Sequence, residues 1–398
     1  MSRFSTKRVL LFGLVILTLV LSSCTPAATT EAPQPEPAQP TEAATEEMTE
    51  APVMTEEPTE EMTEVATEEP TEEATEAVEP TMPPEATPTT PPPVCEPLAT
   101  QPTVNAGDLG SPENPIVMTF VPSGDTGRIT TAGEAIADCL TEMTGMAFEI
   151  EVGTSFAASI EAMGAEQAQV GFLNTFSVLL AREKYNVVPV LVNTRRYNTN
   201  TVDPDQDMAG EMQPFYKGQF ITQADSGITE LADLAGKSFC FVDPNSTSGY
   251  IIPRIIMQAN GIDPDLDLTN QVSAGSHNNV AIAVYQGDCD AGVTFIDVLT
   301  DEAANLQGTY PDIAEKVVPF AVTDRIPNDG VQVIENLDPA ITEAVVDGML
   351  AMAEDPGGAA VLRSLYSING FAEVEPDFYD DFAQVLSDAG VNPEELVQ

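Results

Sequence analysis

Residues 239–255 read FCFVDPNSTSGYIIPRI. The apolar run Ser238–Val242 is strand-like, Asp243-Pro244-Asn245 is a turn sequence, and a helix-like run opens at Gly249. Strand, turn and helix in that order begin a β-α-β unit, so this stretch points to an α/β fold. Between strand and helix stand Ser246, Thr247, Ser248 and Gly249. Hydroxyls at a helix start can serve as ordinary caps. The same groups, with the unpaired backbone N–H groups of the first turn, can also hold a small anion. Gly249 lets the backbone approach closely, and Pro253 is compatible with the early part of a helix. The pattern GxxxxGK[ST] is absent, so nucleotide hydrolysis is not indicated.

The alternation continues in both directions. Towards the N-terminus, Pro115–Val121, Phe148–Val152, Gln169–Leu173 and Val187–Val192 are strand-like. Helical stretches over Gly133–Met143, over Ser155–Gln167 and up to Tyr185 separate them. This repetition predicts a parallel sheet with helices on both faces. Residues 194–214 are polar and turn-rich and break the rhythm. A second series follows, with strands over Phe215–Thr222, Ser238–Val242, Leu266–Val272, Ala291–Phe295 and Val317–Val322, and helices over Ile228–Leu234, Gly249–Asn260 and Asn278–Gln286. Two or three helices complete the chain. The expected architecture is α/β and two-lobed, with lobe 1 formed by residues 95–215 and 323–398, lobe 2 by residues 216–322, and a ligand cleft between them. Candidate residues fall at the carboxyl ends of strands, where ligands gather in open α/β sheets.

Three further stretches lie at such ends. Gly275-Ser276-His277-Asn278-Asn279 follows a strand and opens a helix, and it contains the single histidine of the chain. Asp290–Asp297 is a strand ending in an acid, and Ile326-Pro327-Asn328-Asp329 lies at the second crossing between lobes. Together with VPSGD (121–125), GTSFAASIEAM (153–163), ITELADLAGKSF (228–239), GSHNNVAIAVYQGDCDAG (275–292) and RIPND (325–329), the STSG run resembles the phosphonate-binding family of solute receptors. That family has the two-lobed type II periplasmic binding protein fold, and the resemblance runs from about Pro115 to the C-terminus.

The resemblance implies that Ser246, Thr247 and Ser248, with the backbone at Gly249, bind phosphonate or phosphate oxygens. It implies that His277 and Asp329 complete the pocket and that Asp297 lines it. Ser123 of VPSGD joins the set, and Tyr216 matches an aromatic position at the first crossing. Phe156 stands where relatives commonly carry tyrosine, so one hydroxyl is missing. A carboxylate such as Asp329 only accepts hydrogen bonds, so it would favour a ligand still carrying P–O–H and reject sulfate. Asp297 could cap a helix or meet an ammonium group on an aminoalkyl phosphonate. The implied function is a solute-binding receptor of an ABC importer, with a phosphorus oxyanion as ligand, a permease as partner, no cofactor and no catalytic role. Two other classes compete: an enzyme acting on a phosphorylated or pyrimidine-like substrate, and a surface interaction module without ligand.

Composition narrows the partners. A formal net charge of −50 argues against nucleic acid and anionic membrane surfaces. Residues 1–24 carry Arg3, Lys7 and Arg8 ahead of the apolar run 9–21 and end in Leu21-Ser22-Ser23-Cys24, the layout of a secretory signal closing in a lipobox-like sequence. Cleavage before Cys24 and lipidation of its thiol are expected, which places a monomeric body on the outer face of the cytoplasmic membrane. Residues 25–94 are rich in Thr, Glu and Pro and contain no Lys, Arg or aromatic residue. Such a segment cannot offset its ordering entropy and is expected to be a disordered stalk, reaching on the order of 200 Å at most. With Cys24 lipidated, Cys95, Cys139, Cys240 and Cys289 remain, and four cysteines allow three connectivities. Cys240–Cys289 is favoured because both lie at strand-like segments expected to be neighbours, leaving Cys95 for Cys139. One histidine and no CxxC leave few ligands for zinc, and no metal site is expected.

Overall fold

The structure is a computed structural model that describes residues 91–391. The signal-like segment, Cys24 and the stalk up to residue 90 lie outside the described residues. Among the described residues, no helix is long and apolar enough to cross a membrane.

The first sheet begins with β1 (Ile116–Phe120), followed by α1 (Thr126–Thr144), β2 (Phe148–Val152), α2 (Phe156–Gly164), β3 (Val170–Leu173), α3 (Thr175–Tyr185) and β4 (Val188–Arg196). Helix α1 starts seven residues before the apolar periodicity does. Asp125 Oδ1 caps it by accepting the Arg128 N–H at 2.8 Å, so its polar first turns are held by the cap rather than by burial. It ends at Gly145 with φ 73°, a left-handed position suited to glycine.

After a polar excursion containing β5 (Met212–Gln213), the chain passes through β6 (Phe215–Tyr216) into the second sheet. That sheet contains β7 (Gly218–Gln223), β8 (Ser238–Phe241), β9 (Asn270–Ser273), β10 (Ala291–Phe295) and β11 (Val317–Val322). Its helices are α4 (Ile252–Ala259), α5 (Pro264–Asp267), α6 (His277–Gln286), α7 (Leu306–Thr309) and α8 (Ile313–Lys316). The chain returns through β12 (Ile326–Pro327) to β13 (Gly330–Val333), α9 (Pro339–Glu354), α10 (Pro356–Tyr366), β14 (Gly370–Glu373) and α11 (Asp380–Asp388). The two crossings pair with each other, Ile326 opposite Tyr216. They thereby form a two-stranded antiparallel link between the sheets.

Neither sheet is wholly parallel. In the first, of order β14-β4-β13-β3-β1-β2, strand β13 runs antiparallel between β3 and β4, and β14 is antiparallel to β4. In the second, of order β11-β7-β10-β8-β9, strand β7 is antiparallel to both β10 and β11. The reversed strands β7 and β13 are those entered directly from a crossing. A crossing needs no helix, and without a crossover helix nothing enforces parallel entry.

Other expected elements shift as well. The expected strand over 266–272 is a helical turn followed by the short, exposed edge strand β9. Asp263 caps that turn at Asp265 N and Pro264 opens it. The expected strand 215–222 is divided at Lys217, and the helix expected over 228–234 is only a single tight turn over Leu231–Leu234. Strand β14 has no counterpart among the expected elements. Both disulfides join the expected pairs, with Cα–Cα separations of 5.2 Å for Cys95–Cys139 and 5.8 Å for Cys240–Cys289. Cys240 ends up near Cys289 because β8 and β10 are parallel neighbours, Cys240 opposite Gly292. The core of the first sheet lies between its strands and helices α1, α9 and α10, around Phe120, Phe172, Ile136 and Met349. A second core continues from the helices of one lobe into those of the other, through Phe156, Phe176, Val242 and Val280.

Candidate functional site

A cavity of about 70 Å³ lies where the two lobes meet. Ser246, Thr247, Ser248, His277, Tyr216, Phe156, Ser123 and Asp329 line it. Gly249 stands behind the hydroxyls, where a Cβ would collide with the Val242 side chain and Ser246 Oγ. Asp297 is not among the lining residues; it lies behind Arg195, which is.

The STSG run forms a wide turn that continues into α4. Ser246 Oγ accepts the Gly249 N–H at 3.2 Å and faces His277 Nε2 at 3.5 Å. Thr247 Oγ1 accepts from Asn174 Nδ2 at 2.9 Å and from the Phe176 N–H at 2.8 Å. Ser248 Oγ accepts from the Tyr216 hydroxyl at 3.3 Å. A hydroxyl has one donor and two lone pairs. Each of the three accepts at least one bond from a neighbouring donor and is left with its own O–H to give. All three residues are about 1 % exposed, so the protein positions these donors and bulk solvent does not.

His277 is a donor for a related reason. Its Nδ1 accepts the Phe295 N–H at 3.1 Å, which assigns the ring proton to Nε2, on the side of Ser246. Burial, with the nearby Arg195 charge, pushes its pKa down to about 3, so the imidazole is neutral at physiological pH. Burial holds the Tyr216 phenol well above its ordinary pKa, so it too keeps its proton. The cavity thus presents neutral donors on one wall.

The acceptors gather around Asp329. Its Oδ1 accepts from the Thr175 N–H at 3.2 Å and the Thr175 hydroxyl at 3.3 Å. Burial pushes its pKa up to about 6, although those hydrogen bonds and Arg195 oppose the rise. Asn174 and Asn328 add amide oxygens. Asn174 Nδ2 donates to Asn245 O and Thr247 Oγ1, while Asn328 Nδ2 donates to the Asn193 and Gln213 carbonyls. Those bonds orient the amides and leave both Oδ1 atoms buried without a partner among the described residues. They are fixed acceptors suited to a donor in the cavity.

The cavity also contains residues that sequence reasoning passed over: Arg128, Arg195, Asp301 and Asn174. Arg195 and Asn174 each lie at the carboxyl end of a strand, β4 and β3, and that position was the available signal. Arg128 and Asp301 had none of their own, whereas Asn278, also in the lining, stood beside His277 in the stretch already singled out. Asp301 acquires its place by accepting the Ala304 N–H at 2.9 Å in the loop after β10.

Residues 118–379 match the family described as "ABC transporter, phosphonate, periplasmic substrate-binding protein". The Phosphate-import protein PhnD of Mycolicibacterium smegmatis is 29% identical over 201 residues, covering 48% of this chain and 58% of that protein. The Phosphonates-binding periplasmic protein of Escherichia coli is 29% identical over 167 residues, covering 40% and 47%. The chain spans about half the length of these curated relatives. Among solved structures, the binding component of an ABC phosphonate transporter from Pseudomonas aeruginosa superposes with a TM-score of 0.59 at 18% identity, covering 69% of this chain and 86% of that one. PhnD1 of Prochlorococcus marinus in complex with methylphosphonate gives 0.59 at 15% identity, covering 70% and 98%. These structural likenesses concern the two-lobed α/β fold; the sequence match over 118–379 carries the family, and the chain belongs to the phosphonate-binding family of ABC transporter periplasmic substrate-binding proteins.

Proposed function

We propose that this chain is an extracytoplasmic receptor that binds a small phosphorus oxyanion between its lobes and delivers it to an ABC permease. The observation that carries the reading is the hydroxyl cradle: Ser246, Thr247 and Ser248 accept bonds from the protein and keep their O–H groups for the cavity. Neutral donors suit an anion receptor in an acidic protein, because they leave no uncompensated charge buried when the cleft is empty. Asp329 and the Asn174 and Asn328 oxygens would receive the remaining P–O–H, which sulfate lacks. A cavity of about 70 Å³ has room for on the order of five water-sized atoms, close to the heavy-atom count of phosphate or methylphosphonate.

In this reading residues 95–215 and 323–398 form one lobe and 216–322 the other, and the body works as a monomer. Cleavage before Cys24 and lipidation would tether it through the Thr/Glu/Pro-rich segment. His277 serves as a fixed donor and not as a base, since Nδ1 is committed to Phe295.

The test is thermal stabilisation of residues 91–398 by phosphate, methylphosphonate and sulfate. A ligand at 100 times its Kd adds about 2.7 kcal/mol. Stabilisation by a phosphorus oxyanion and none by sulfate is expected, with loss in Ser246→Ala/Ser248→Ala. Stabilisation by none of them would overturn the reading.

A further inference from the structure

Arg195 enters the cavity from the end of β4, with its side chain 16% exposed. Its Nη2 lies 3.5 Å from Asp297 Oδ1 and 3.4 Å from Asp301 Oδ2, and its guanidinium stands 5.6 Å from the centroid of the Phe295 ring. Nε and Nη1 make no hydrogen bond among the described residues, so Arg195 keeps unused donors where this cavity adjoins the open pocket lined by Asn198, Asp301 and Ser367.

Both carboxylates that Arg195 meets are occupied, Asp301 at the cavity lining and Asp297 outside it. Asp297 Oδ2 accepts from Asn198 Nδ2 at 2.5 Å while Oδ1 faces Arg195. Asp301 Oδ1 accepts the Ala304 N–H at 2.9 Å, and Oδ2 is shared between Arg195 and the Ser367 hydroxyl. An ammonium group on a ligand that reached either acid would have to share it with the guanidinium already there. Asp329 lines the same cavity and lies near enough to Arg195 for their charges to interact, but its Oδ1 already accepts from Thr175. The unpartnered amide oxygens are neutral and add no charge against the repulsion that an ammonium meets beside the guanidinium.

We propose that Arg195 is a specificity-determining residue that turns the receptor away from amino-bearing phosphonates. It favours phosphorus oxyanions whose remaining substituent is uncharged or itself a hydrogen-bond acceptor. This rests on the receptor reading above and names the ligand class within it.

The test separates charge from size. 2-Aminoethylphosphonate and n-propylphosphonate have nearly the same shape and differ in an ammonium against a methyl group. Affinities of both, with phosphate and methylphosphonate, are measured calorimetrically on the wild type and on Arg195→Gln. The wild type is expected to bind propylphosphonate at least 30-fold more tightly than 2-aminoethylphosphonate, and Arg195→Gln is expected to shrink that ratio at least 10-fold. Arg195→Gln/Asp297→Asn, which leaves no unpaired carboxylate at 297, serves if the single variant does not fold. A smaller wild-type ratio, or a ratio that both variants preserve, overturns the proposal. So does binding of methylphosphonate with neither larger ligand, since size would then be the filter. Failure to bind any of the four overturns the receptor reading itself and is thereby distinguished from failure of the role given to Arg195.

Discussion

His277 and Phe295 are joined by one hydrogen bond, from the Phe295 backbone N–H to His277 Nδ1 at 3.1 Å. A strand of the second sheet thereby sets the tautomer of a cavity residue. The imidazole is expected to stay neutral with its proton on Nε2 down to about pH 4, because burial pushes its pKa down to about 3. The chain has a single histidine, so ¹⁵N spectra of labelled protein contain one imidazole and no assignment is needed. A titration step between pH 5 and 8, or a proton on Nδ1, would show that His277 is not the fixed donor described here.

Asp329 couples the cavity to pH. Its folded pKa of about 6 lies above the ordinary 3.8, so the folded state binds the proton more tightly than the unfolded chain. Stability therefore falls as pH rises from about 4 to 6, and the full cost, on the order of 2–3 kcal/mol, is present above pH 6. Asp329→Asn removes that cost while its amide oxygen can still accept from Thr175. The ligand-free variant should be more stable than wild type at pH 8, and the difference should vanish towards pH 4. Urea unfolding at the two pH values checks this. An equal difference at both would place the origin elsewhere.

Thr247 and Ser248 are adjacent hydroxyls with different structural duties. Thr247 Oγ1 receives two buried N–H groups, from Asn174 and Phe176, whereas Ser248 Oγ receives only the Tyr216 hydroxyl, a longer bond. Leaving a buried donor unpaired costs about 1–3 kcal/mol. Thr247→Val, which conserves shape, should lower stability by about 2–4 kcal/mol, and Ser248→Ala by about 1 kcal/mol or less. Both should weaken ligand binding, so affinity alone would not distinguish them. Chemical denaturation of the ligand-free proteins does. Equal losses would contradict the hydrogen-bond assignment.

The legible parts of this protein are those fixed by neighbours in sequence. Strands β8, β10 and β11 match the reading to within a residue, because each is a short apolar run bounded by turn residues. The strand–turn–helix at 238–259 and the strand–helix junction at His277 were visible for the same reason. Strand direction was not, since whether β13 runs with or against β3 depends on the end from which the chain re-enters the sheet. Arg195 was equally hidden. Its partners Asp297 and Asp301 lie about 100 residues away, and only the packed lobes bring the three together. Asp297 was noticed as the acid ending a strand, but the cation in front of it was not.

Lys217 and Asp203 form the most deeply buried ion pair among the described residues, with Nζ 2.8 Å from Oδ1 and side chains 4% and 0% exposed. Lys217 separates β6 from β7, next to the cavity residue Tyr216, and Asp203 belongs to the polar excursion that precedes the crossing. Asp203 also accepts the Tyr197 hydroxyl at 2.8 Å, and Lys217 has a second partner in Asp205 at 2.9 Å. Those carboxylates hold the Lys217 pKa above its ordinary value against the opposing effect of burial. Removing one member of a buried pair leaves the other charged without compensation and costs about 3–5 kcal/mol, whereas removing both costs far less. Lys217→Met should therefore lower unfolding free energy by that amount, and adding Asp203→Asn should restore a large part of it. The non-additivity, read from urea midpoints of the four proteins in the cycle, measures the coupling. Additive losses would mean that the excursion is held at the crossing by packing around Tyr197 and Phe215, whose ring centroids lie 5.5 Å apart, and not by this charge pair.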